Sequence, residues 1–179
     1  DTLEERIKLY GKNVVATMLS SRGCFANCAF CSVVPYVKLN EGPKYRLRSI
    51  HNIVDEIEHI INNYGVNRFF FFDEDFILPG KQGLDRVQLF HDEIIKRDIE
   101  IRFHILTRVD SITDETVRLL KDTGMNSVFL GIESFVNDDL DLYNKNIKEN
   151  YKEKALRILF NHGYSIDVKS DYRIRVGYI

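Results

Sequence analysis

The sequence predicts an α/β fold built on a parallel sheet, with about five β/α units. Short apolar runs alternate with amphipathic segments along the chain, which is typical of parallel strands joined by helical crossovers. The apolar runs are continuous, as expected for strands that are buried on both faces. Polar residues follow four of these runs directly, at the edge where ligands collect in parallel α/β folds.

Each predicted element rests on a local pattern. Ser49 and Thr113 are suitable N-caps, and Gly65 is a suitable helix end. The predicted strands are residues 14–19, 69–72, 101–106, 127–132 and 174–179, with a further strand-like run at 166–168. The predicted helices cover residues 50 to about 65, 84–94, 113–124 and 151–163.

A chain of 179 residues with 44% hydrophobic residues is long enough to bury one core. Residues 1–12 are polar and are predicted to link this core, residues 13–179, to a preceding segment. The net charge of −2 gives no reason to expect a nucleic-acid partner. The sequence contains no run of 18 apolar residues, so it gives no sign of a membrane span. Reduced cysteines favour a cytoplasmic protein.

All three cysteines, Cys24, Cys28 and Cys31, lie in one run with the spacing C-x3-C-x2-C. A structural zinc site has four protein ligands, whereas three thiolates on a four-iron cluster leave one iron without a protein ligand. An open iron suits a cluster that binds and reductively cleaves a small molecule, and S-adenosylmethionine (SAM) is the known substrate of that chemistry. Two other interpretations stay open: a zinc loop completed by His51 or His59, and three unrelated buried cysteines.

The cysteine spacing, with Phe30 in its aromatic position, resembles the signature of the radical SAM superfamily. This resemblance implies a [4Fe-4S] cluster that chelates SAM and, on electron transfer, releases a 5'-deoxyadenosyl radical. Further stretches resemble the cobalamin (B12)-binding group of the superfamily, from about residue 13 to 163. They are Ser21-Arg22-Gly23-Cys24, Arg46-Leu47-Arg48-Ser49, Asp55-Glu56-Ile57, Asp73-Glu74-Asp75-Phe76, Thr107-Arg108-Val109-Asp110 and Gly131-Ile132-Glu133-Ser134.

The fold that the resemblance implies is a partial (β/α)6 TIM-like barrel. A full core of this kind has six β/α units and a Gly-rich turn after the fifth strand, which this sequence does not reach. We therefore expect the core to be incomplete at its C-terminal end. The sequence shows no cobalt-ligating motif, so cobalamin, bound by a domain outside this chain, is inferred from kinship alone.

Polar residues at the predicted strand ends are candidates for SAM contacts. Neighbouring carboxylates repel one another, and a nearby cation compensates this repulsion. Asp73 and Glu74 are therefore expected to bind the SAM amino group. An acidic turn with helix-capping duties is the alternative, above all for Asp75. Arg108 would hold the SAM carboxylate or form an ion pair with Asp110.

Three further residues complete the predicted site. Glu133 and Ser134 suit ribose hydroxyls, with a helix N-cap as the alternative for Ser134. Phe30 is expected to contact adenine, with a place in the core as the alternative.

The predicted function is a radical SAM enzyme that methylates, cyclises or rearranges an unknown small molecule. Its expected partners are SAM and an electron donor such as flavodoxin or ferredoxin. Two alternatives remain at this stage. One is a cobalamin-independent enzyme such as a methylthiotransferase, and the other is a non-catalytic zinc-binding module.

Overall fold

The computed structural model describes residues 2–39, 41–147 and 150–178, which form an α/β fold. Five strands form one parallel sheet in the order β1-β4-β5-β6-β7, and β2 and β3 pair as a separate antiparallel hairpin. The strands are β1 (Ala16–Met18), β2 (Ser21–Gly23), β3 (Tyr45–Leu47), β4 (Arg68–Phe71), β5 (Arg102–Arg108), β6 (Met125–Glu133) and β7 (Arg173–Tyr178). The prediction of a parallel α/β fold is confirmed.

The predicted helices are present, and their caps follow the expected chemistry. Ser49 accepts a hydrogen bond from the Asn52 amide, and Gly65 ends the same helix with a left-handed φ of 65°. Thr113 caps its helix by accepting from the Thr116 amide. The helices are α1 (Leu3–Tyr10), α2 (Val33–Lys38), α3 (Ile50–Tyr64), α4 (Gly80–Lys96), α5 (Asp114–Asp122), α6 (Asn137–Leu142) and α7 (Tyr151–Asn161).

Three regions differ from the sequence-based expectation. The predicted strand at 166–168 is wrong, because Asp167 and its neighbours close side-chain turns that compete with strand pairing. Residues 3–10 of the predicted linker form α1, which begins with a capping box between Thr2 and Glu5. The β2–β3 hairpin, α2 and α6 had no clear sequence signal.

The helices cover one face of the sheet, and an aromatic cluster fills the space between them. Phe71 on β4 contacts Phe76, Phe90 and Phe103, with ring centroids 4.9, 5.9 and 5.6 Å away. All four side chains are buried. Such edge-to-face and tilted contacts stabilise the layer beyond the burial of apolar area.

The opposite side of the sheet is here called the inner face. It carries Phe70, His104, Ser127 and Arg173, which occupy adjacent positions on β4, β5, β6 and β7. Phe70 and His104 are only partly buried, and Phe72, which follows β4, is 57% exposed. The expectation that both faces of the strands are buried is therefore wrong for this face, where polar and charged side chains replace a second apolar layer.

No helix in the described ranges is long and apolar enough to cross a membrane.

Phe71→Ala is expected to lower the free energy of unfolding by about 3–5 kcal/mol, because it removes the ring at the centre of the aromatic cluster. Phe72→Ala is the matched control, since the two rings are adjacent in sequence and Phe72 is mostly exposed. The control should cost less than about 1 kcal/mol in a urea titration. Similar losses in the two variants would contradict the assignment of the two faces.

Candidate functional site

The three cysteines lie in a loop, residues 24–31, between β2 and α2. Cys24 follows β2 directly, and Cys31 stands two residues before α2 begins. Cys28 is buried, Cys24 and Cys31 are partly exposed, and all three are free thiols. The loop therefore carries three reduced sulfurs directly after the hairpin strand that follows β1.

Lys44 holds the cysteine loop from the hairpin beside it. Its Nζ donates to the carbonyl oxygens of Phe25 and Ala26, at 3.1 and 2.5 Å, and to Asn27 Oδ1 at 2.5 Å. Gly23 permits this approach, because a Cβ at that position would lie 2.1 Å from the Lys44 carbonyl oxygen, and its φ is +78°. The loop is thus held by the Lys44 ammonium, and it begins at a close backbone approach that only glycine allows.

A second contact joins the cysteine loop to the turn after α6. The Ala29 amide donates to the Tyr143 carbonyl at 2.8 Å, and Asn144 Nδ2 donates to the Asn27 carbonyl at 2.9 Å. The loop consequently bridges the sheet, from the end of β1 to the segment that follows β6.

Asp73 lies directly behind β4 and is buried, and its carboxylate is fully engaged. It accepts from the Ser20 amide at 3.0 and 3.1 Å, from Ser20 Oγ at 3.0 Å and from Ser21 Oγ at 2.5 Å. Burial raises the pKa of Asp73, and the hydroxyl of Ser21 and the Ser20 amide act against that rise. Through these bonds, Asp73 positions the segment that leads into the cysteine loop.

Asp75 is completely buried and only half satisfied. Its Oδ1 accepts from Thr107 Oγ1 at 2.8 Å and from the Arg108 amide at 3.3 Å, and its Oδ2 has no partner within the described residues. Burial raises the pKa of Asp75 to about 7. The carboxyl also acts on the cysteine loop, because its charge adds to the burial that raises the pKa of Cys24.

Glu74 is the exposed member of the acidic group. Partial burial raises the pKa of Glu74, and the charge of Asp73 adds to the rise. It lines a groove together with Gly23 and Lys44 beside the cysteine loop. Of the three acids, only Glu74 offers a carboxylate that a ligand can reach without rearrangement.

Arg108 forms an ion pair with Asp110, which was one of its two predicted roles. Its Nε donates to Asp110 Oδ1 at 3.0 Å, and its Nη2 donates to Asp110 Oδ2 at 2.9 Å. Nη2 also donates to the Lys145 carbonyl at 3.0 Å, and the guanidinium lies 5.8 Å from the Phe25 ring centroid. Arg108 therefore stands next to the cysteine loop, although two of its donors are already in use.

Lys145 connects two other predicted residues. Its buried ammonium pairs with Glu133, and it lies 5.9 Å from the ring centroid of Phe30. Phe30 is 42% exposed, so it does not fill the core, and its ring meets Tyr143 edge to face at 5.6 Å. Glu133 has a left-handed φ of 63°, which turns the chain sharply where β6 ends.

Ser134 is buried and does not cap α6. Its Oγ donates to Asp139 Oδ2 at 2.5 Å and accepts from the Val136 amide at 3.0 Å, which closes a turn ahead of the helix. Lys152, also buried, donates to the Ser134 carbonyl at 2.9 Å. The turn is held from both sides, and the Ser134 hydroxyl is engaged within it.

The structure therefore gathers the predicted residues at one end of the sheet. Phe30, Arg108 and Glu133 meet around Lys145, while Asp73 and Asp75 anchor the chain at the ends of β4 and β5. Lys44 and Lys145 are functional candidates that sequence reasoning missed, because nothing local separates them from the other lysines of the chain. His51 and His59, the zinc-ligand candidates, lie on α3, where they contact Glu93 and Asn63.

The residues at this end fit an iron–sulfur cluster. Three free thiols lie in one short loop, and the carboxyl of Asp75 nearby keeps a buried oxygen without a partner in the described part of the chain. No three His, Cys, Asp or Glu side chains in the described ranges lie close enough together to hold one metal ion. A four-iron cluster does not require such closeness, because each thiolate binds a different iron atom.

Fold and site together define a class of protein: a partial α/β barrel with a three-cysteine loop at the carboxyl ends of its parallel strands. The family model of the Radical SAM superfamily matches residues 18–170. The chain belongs to this superfamily. The match includes all three cysteines and every polar residue that was predicted for the site.

Curated relatives agree with this assignment. The chain is 32% identical over 145 residues to the anaerobic magnesium-protoporphyrin IX monomethyl ester cyclase of Rubrivivax gelatinosus, covering 80% of this chain and 24% of the relative. It is 26% identical over 163 residues to the bacteriochlorophyllide d C-8(2)-methyltransferase of Chlorobaculum tepidum, covering 87% of this chain and 34% of the relative. The chain spans about a quarter to a third of the length of these two proteins.

Solved structures confirm the fold. The radical SAM methyltransferase TsrM of Kitasatospora setae, with cobalamin and a [4Fe-4S] cluster bound, aligns with a TM-score of 0.75 at 17% identity, over 97% of this chain and 32% of that one. The cobalamin-dependent radical enzyme OxsB, with aqua-cobalamin bound, gives 0.70 at 23% identity, over 91% of this chain and 23% of that one. The predicted radical SAM barrel, present in part, is confirmed.

Lys44→Met is expected to reduce the iron bound after anaerobic reconstitution, because it leaves three oxygen atoms of the cysteine loop without their shared donor. Lys38→Met is the matched control, since Lys38 is exposed at the end of α2 and carries the same charge. Iron and acid-labile sulfide per chain measure the effect. Equal iron in both variants would show that Lys44 does not shape the loop.

Asp75→Asn is expected to change the pH dependence of stability in the ligand-free protein. The folded-state pKa of about 7 lies above the ordinary 3.8, so the wild type should lose about 1.4 kcal/mol per pH unit relative to the variant as pH rises from about 4 to 7. Above pH 7 the difference should stay constant. Urea unfolding at several pH values measures this, and a difference independent of pH would mean that Asp75 is not protonated in the folded state.

Proposed function

We propose that this chain is the catalytic core of a radical SAM enzyme, in which Cys24, Cys28 and Cys31 hold a [4Fe-4S] cluster. The observation that carries the proposal is the three-cysteine loop, tied across the carboxyl ends of β1, β4 and β6 in a chain of this superfamily. Family membership favours the cluster over the zinc alternative, because a closed zinc site needs a fourth protein ligand.

When bound, the cluster supplies the electron that cleaves SAM and releases a 5'-deoxyadenosyl radical. The protein's own task is to orient SAM and to keep water away from the reacting atoms. The electron donor that we infer is a small redox protein such as flavodoxin or ferredoxin.

We infer that Glu74, and not Asp73, provides the first carboxylate for the SAM amino group. This differs from the sequence-based expectation, because the oxygens of Asp73 are occupied by Ser20 and Ser21. Asp75 is the second candidate for this role, through its unpartnered oxygen. A charge-assisted hydrogen bond from an ammonium is worth about 1.5–3 kcal/mol, enough to orient the ligand.

The remaining contacts are inferred from ring exposure, a free donor and position at the end of β6. Phe30 presents a partly exposed ring on which adenine would stack. Within the described residues Arg108 donates through Nε and Nη2 and keeps Nη1 without a hydrogen bond, and this donor would meet the SAM carboxylate. Glu133 and Ser134 would contact ribose from the end of β6, where Lys145 already pairs with Glu133 and Asp139 already accepts from the Ser134 hydroxyl.

We infer that the reaction is a methylation, a cyclisation or a rearrangement of a small molecule, with cobalamin bound by a segment outside the described residues. The support comes from the relatives, which are named as a cyclase and as methyltransferases, and from neighbours named as cobalamin-dependent. We place the protein in the cytoplasm, because free thiols and an oxygen-sensitive cluster favour a reducing compartment.

The whole protein that contains this chain, reconstituted anaerobically, is expected to bind one four-iron cluster and to form 5'-deoxyadenosine from SAM and a reductant. Cys28→Ala should abolish both, because it removes a cluster ligand. Ser32→Ala is the matched control: this exposed neighbour makes no capping hydrogen bond to α2, so activity should be unchanged. Stoichiometric zinc without iron in the wild type would end the proposal.

The acidic group is tested by the affinity for SAM, measured from its effect on the cluster's electronic spectrum. Glu74→Gln is expected to weaken SAM binding by roughly tenfold to a hundredfold, as the loss of one charge-assisted hydrogen bond predicts. Asp73→Asn should instead lower the iron content with a smaller change in affinity, since Asp73 positions the loop. Unchanged affinity in Glu74→Gln would assign the ammonium contact elsewhere.

A further inference from the structure

A groove of about 440 Å³ lies on the inner face of the sheet, and four arginines line it. Arg68 and Arg102 begin β4 and β5, and Arg173 and Arg175 belong to β7. The described residues that line the groove include no aspartate or glutamate. A concave surface of one charge sign concentrates field and attracts counter-ions.

Arg68, Arg102 and Arg175 are exposed and Arg173 is half-buried, and none of them is paired in the way that the half-buried Arg97 and the buried Arg108 are. Arg97 pairs with three acids, and Arg108 pairs with Asp110. By contrast, the four guanidinium groups of the groove form no ion pair and donate no side-chain hydrogen bond in the part of the chain that the structure describes. Acidic residues outnumber basic ones in the sequence, 27 to 25, so a shortage of carboxylates does not explain this.

Strand pairing brings the four side chains together. Side chains two residues apart on a strand share a face, so Arg68 lies with Phe70, and Arg102 with His104. Parallel pairing places Phe70 beside His104, His104 beside Ser127, and Ser127 beside Arg173. The positive charges therefore lie around a short row of uncharged side chains.

Two buried polar atoms in the groove lack a partner in the described residues: Arg173 Nε and Ser127 Oγ. An unsatisfied buried polar atom is destabilising, so native proteins rarely keep one unless something binds it. The positive field is strong at the same place. Burial lowers the pKa of His104 to about 4, and the charges of Arg175 and Arg173 contribute to this shift.

The groove is separate from the cysteine site. Arg102 and Arg108 stand at opposite ends of β5, which spans roughly 20 Å at about 3.3 Å per residue. The arginines lie toward the amino ends of the strands, whereas the cysteine loop and Asp73 lie beyond the carboxyl ends. The groove is thus outside the SAM site proposed above.

We propose that this groove binds a small phosphorylated molecule, whose phosphate groups pair with Arg102, Arg173 and Arg175 and whose carbon skeleton packs against Phe70. Guanidinium groups match phosphate oxygens two at a time, and one phosphate or diphosphate brings two or more negative charges into a small volume. A single carboxylate would leave most of the positive charge unbalanced. Phosphate binding in the groove does not depend on the SAM chemistry.

Titration calorimetry of the whole protein with inorganic pyrophosphate at low ionic strength tests the proposal. The double variant Arg102→Gln, Arg173→Gln is expected to bind pyrophosphate about tenfold to a hundredfold more weakly, since it loses two charged donors. Arg157→Gln is the control for loss of charge outside the groove, because Arg157 is exposed on α7; it removes one positive charge, and the double variant removes two. The control should bind within about twofold of the wild type.

Three outcomes would overturn the proposal: no pyrophosphate binding by the wild type, an equal loss in Arg157→Gln, or citrate binding as tightly as pyrophosphate. The first would be expected if an acidic segment of a longer chain covers the groove. Should the double variant fold poorly, the exposed Arg175→Gln replaces it and must also weaken binding. Without ligand, Arg175→Gln should be at least as stable as the wild type, because it relieves repulsion among like charges; a marked loss of stability would indicate a structural role instead.

Discussion

The carboxylate of Asp73 joins the end of β4 to the chain that leaves β1, and the cysteine loop depends on this contact. It accepts hydrogen bonds from the Ser20 amide and from the hydroxyls of Ser20 and Ser21. A buried carboxylate is costly unless its oxygens are satisfied, so these bonds leave little freedom to either segment. Because Ser21 begins the hairpin strand that leads to Cys24, the same bonds determine where the loop of thiols starts.

The far side of the loop depends on the segment after β6. Tyr143 and Asn144 bind the loop backbone, and Lys145 joins Glu133 to the neighbourhood of Phe30 and Arg108. Lys145 is almost fully buried, so its charge must be compensated by Glu133. The site is consequently assembled from three separate strand ends, and its parts hold one another in place.

Charge is distributed very unevenly in a chain that is almost neutral overall. The carboxyl ends of the strands carry three adjacent acids, and the opposite end of the inner face carries four arginines that form no ion pair with any residue the structure describes. Parallel pairing produces this separation, because it aligns the first residues of all strands at one end and their last residues at the other. A net charge of −2 therefore describes neither end of the molecule.

The features that the sequence determined by itself are local ones. Cysteine spacing, apolar runs, the caps at Ser49 and Thr113 and the polar residues at strand ends depend on neighbours within a few positions, and from them the fold class and the region of the site could be predicted. The tertiary structure decided which group each polar residue contacts. Asp73 and Asp75 look alike in sequence, yet one is saturated by serines 52 and 53 residues away and the other keeps a buried oxygen free in the described chain. The same holds for Lys44, Lys145 and the four arginines, whose environment exists only once distant strands are paired.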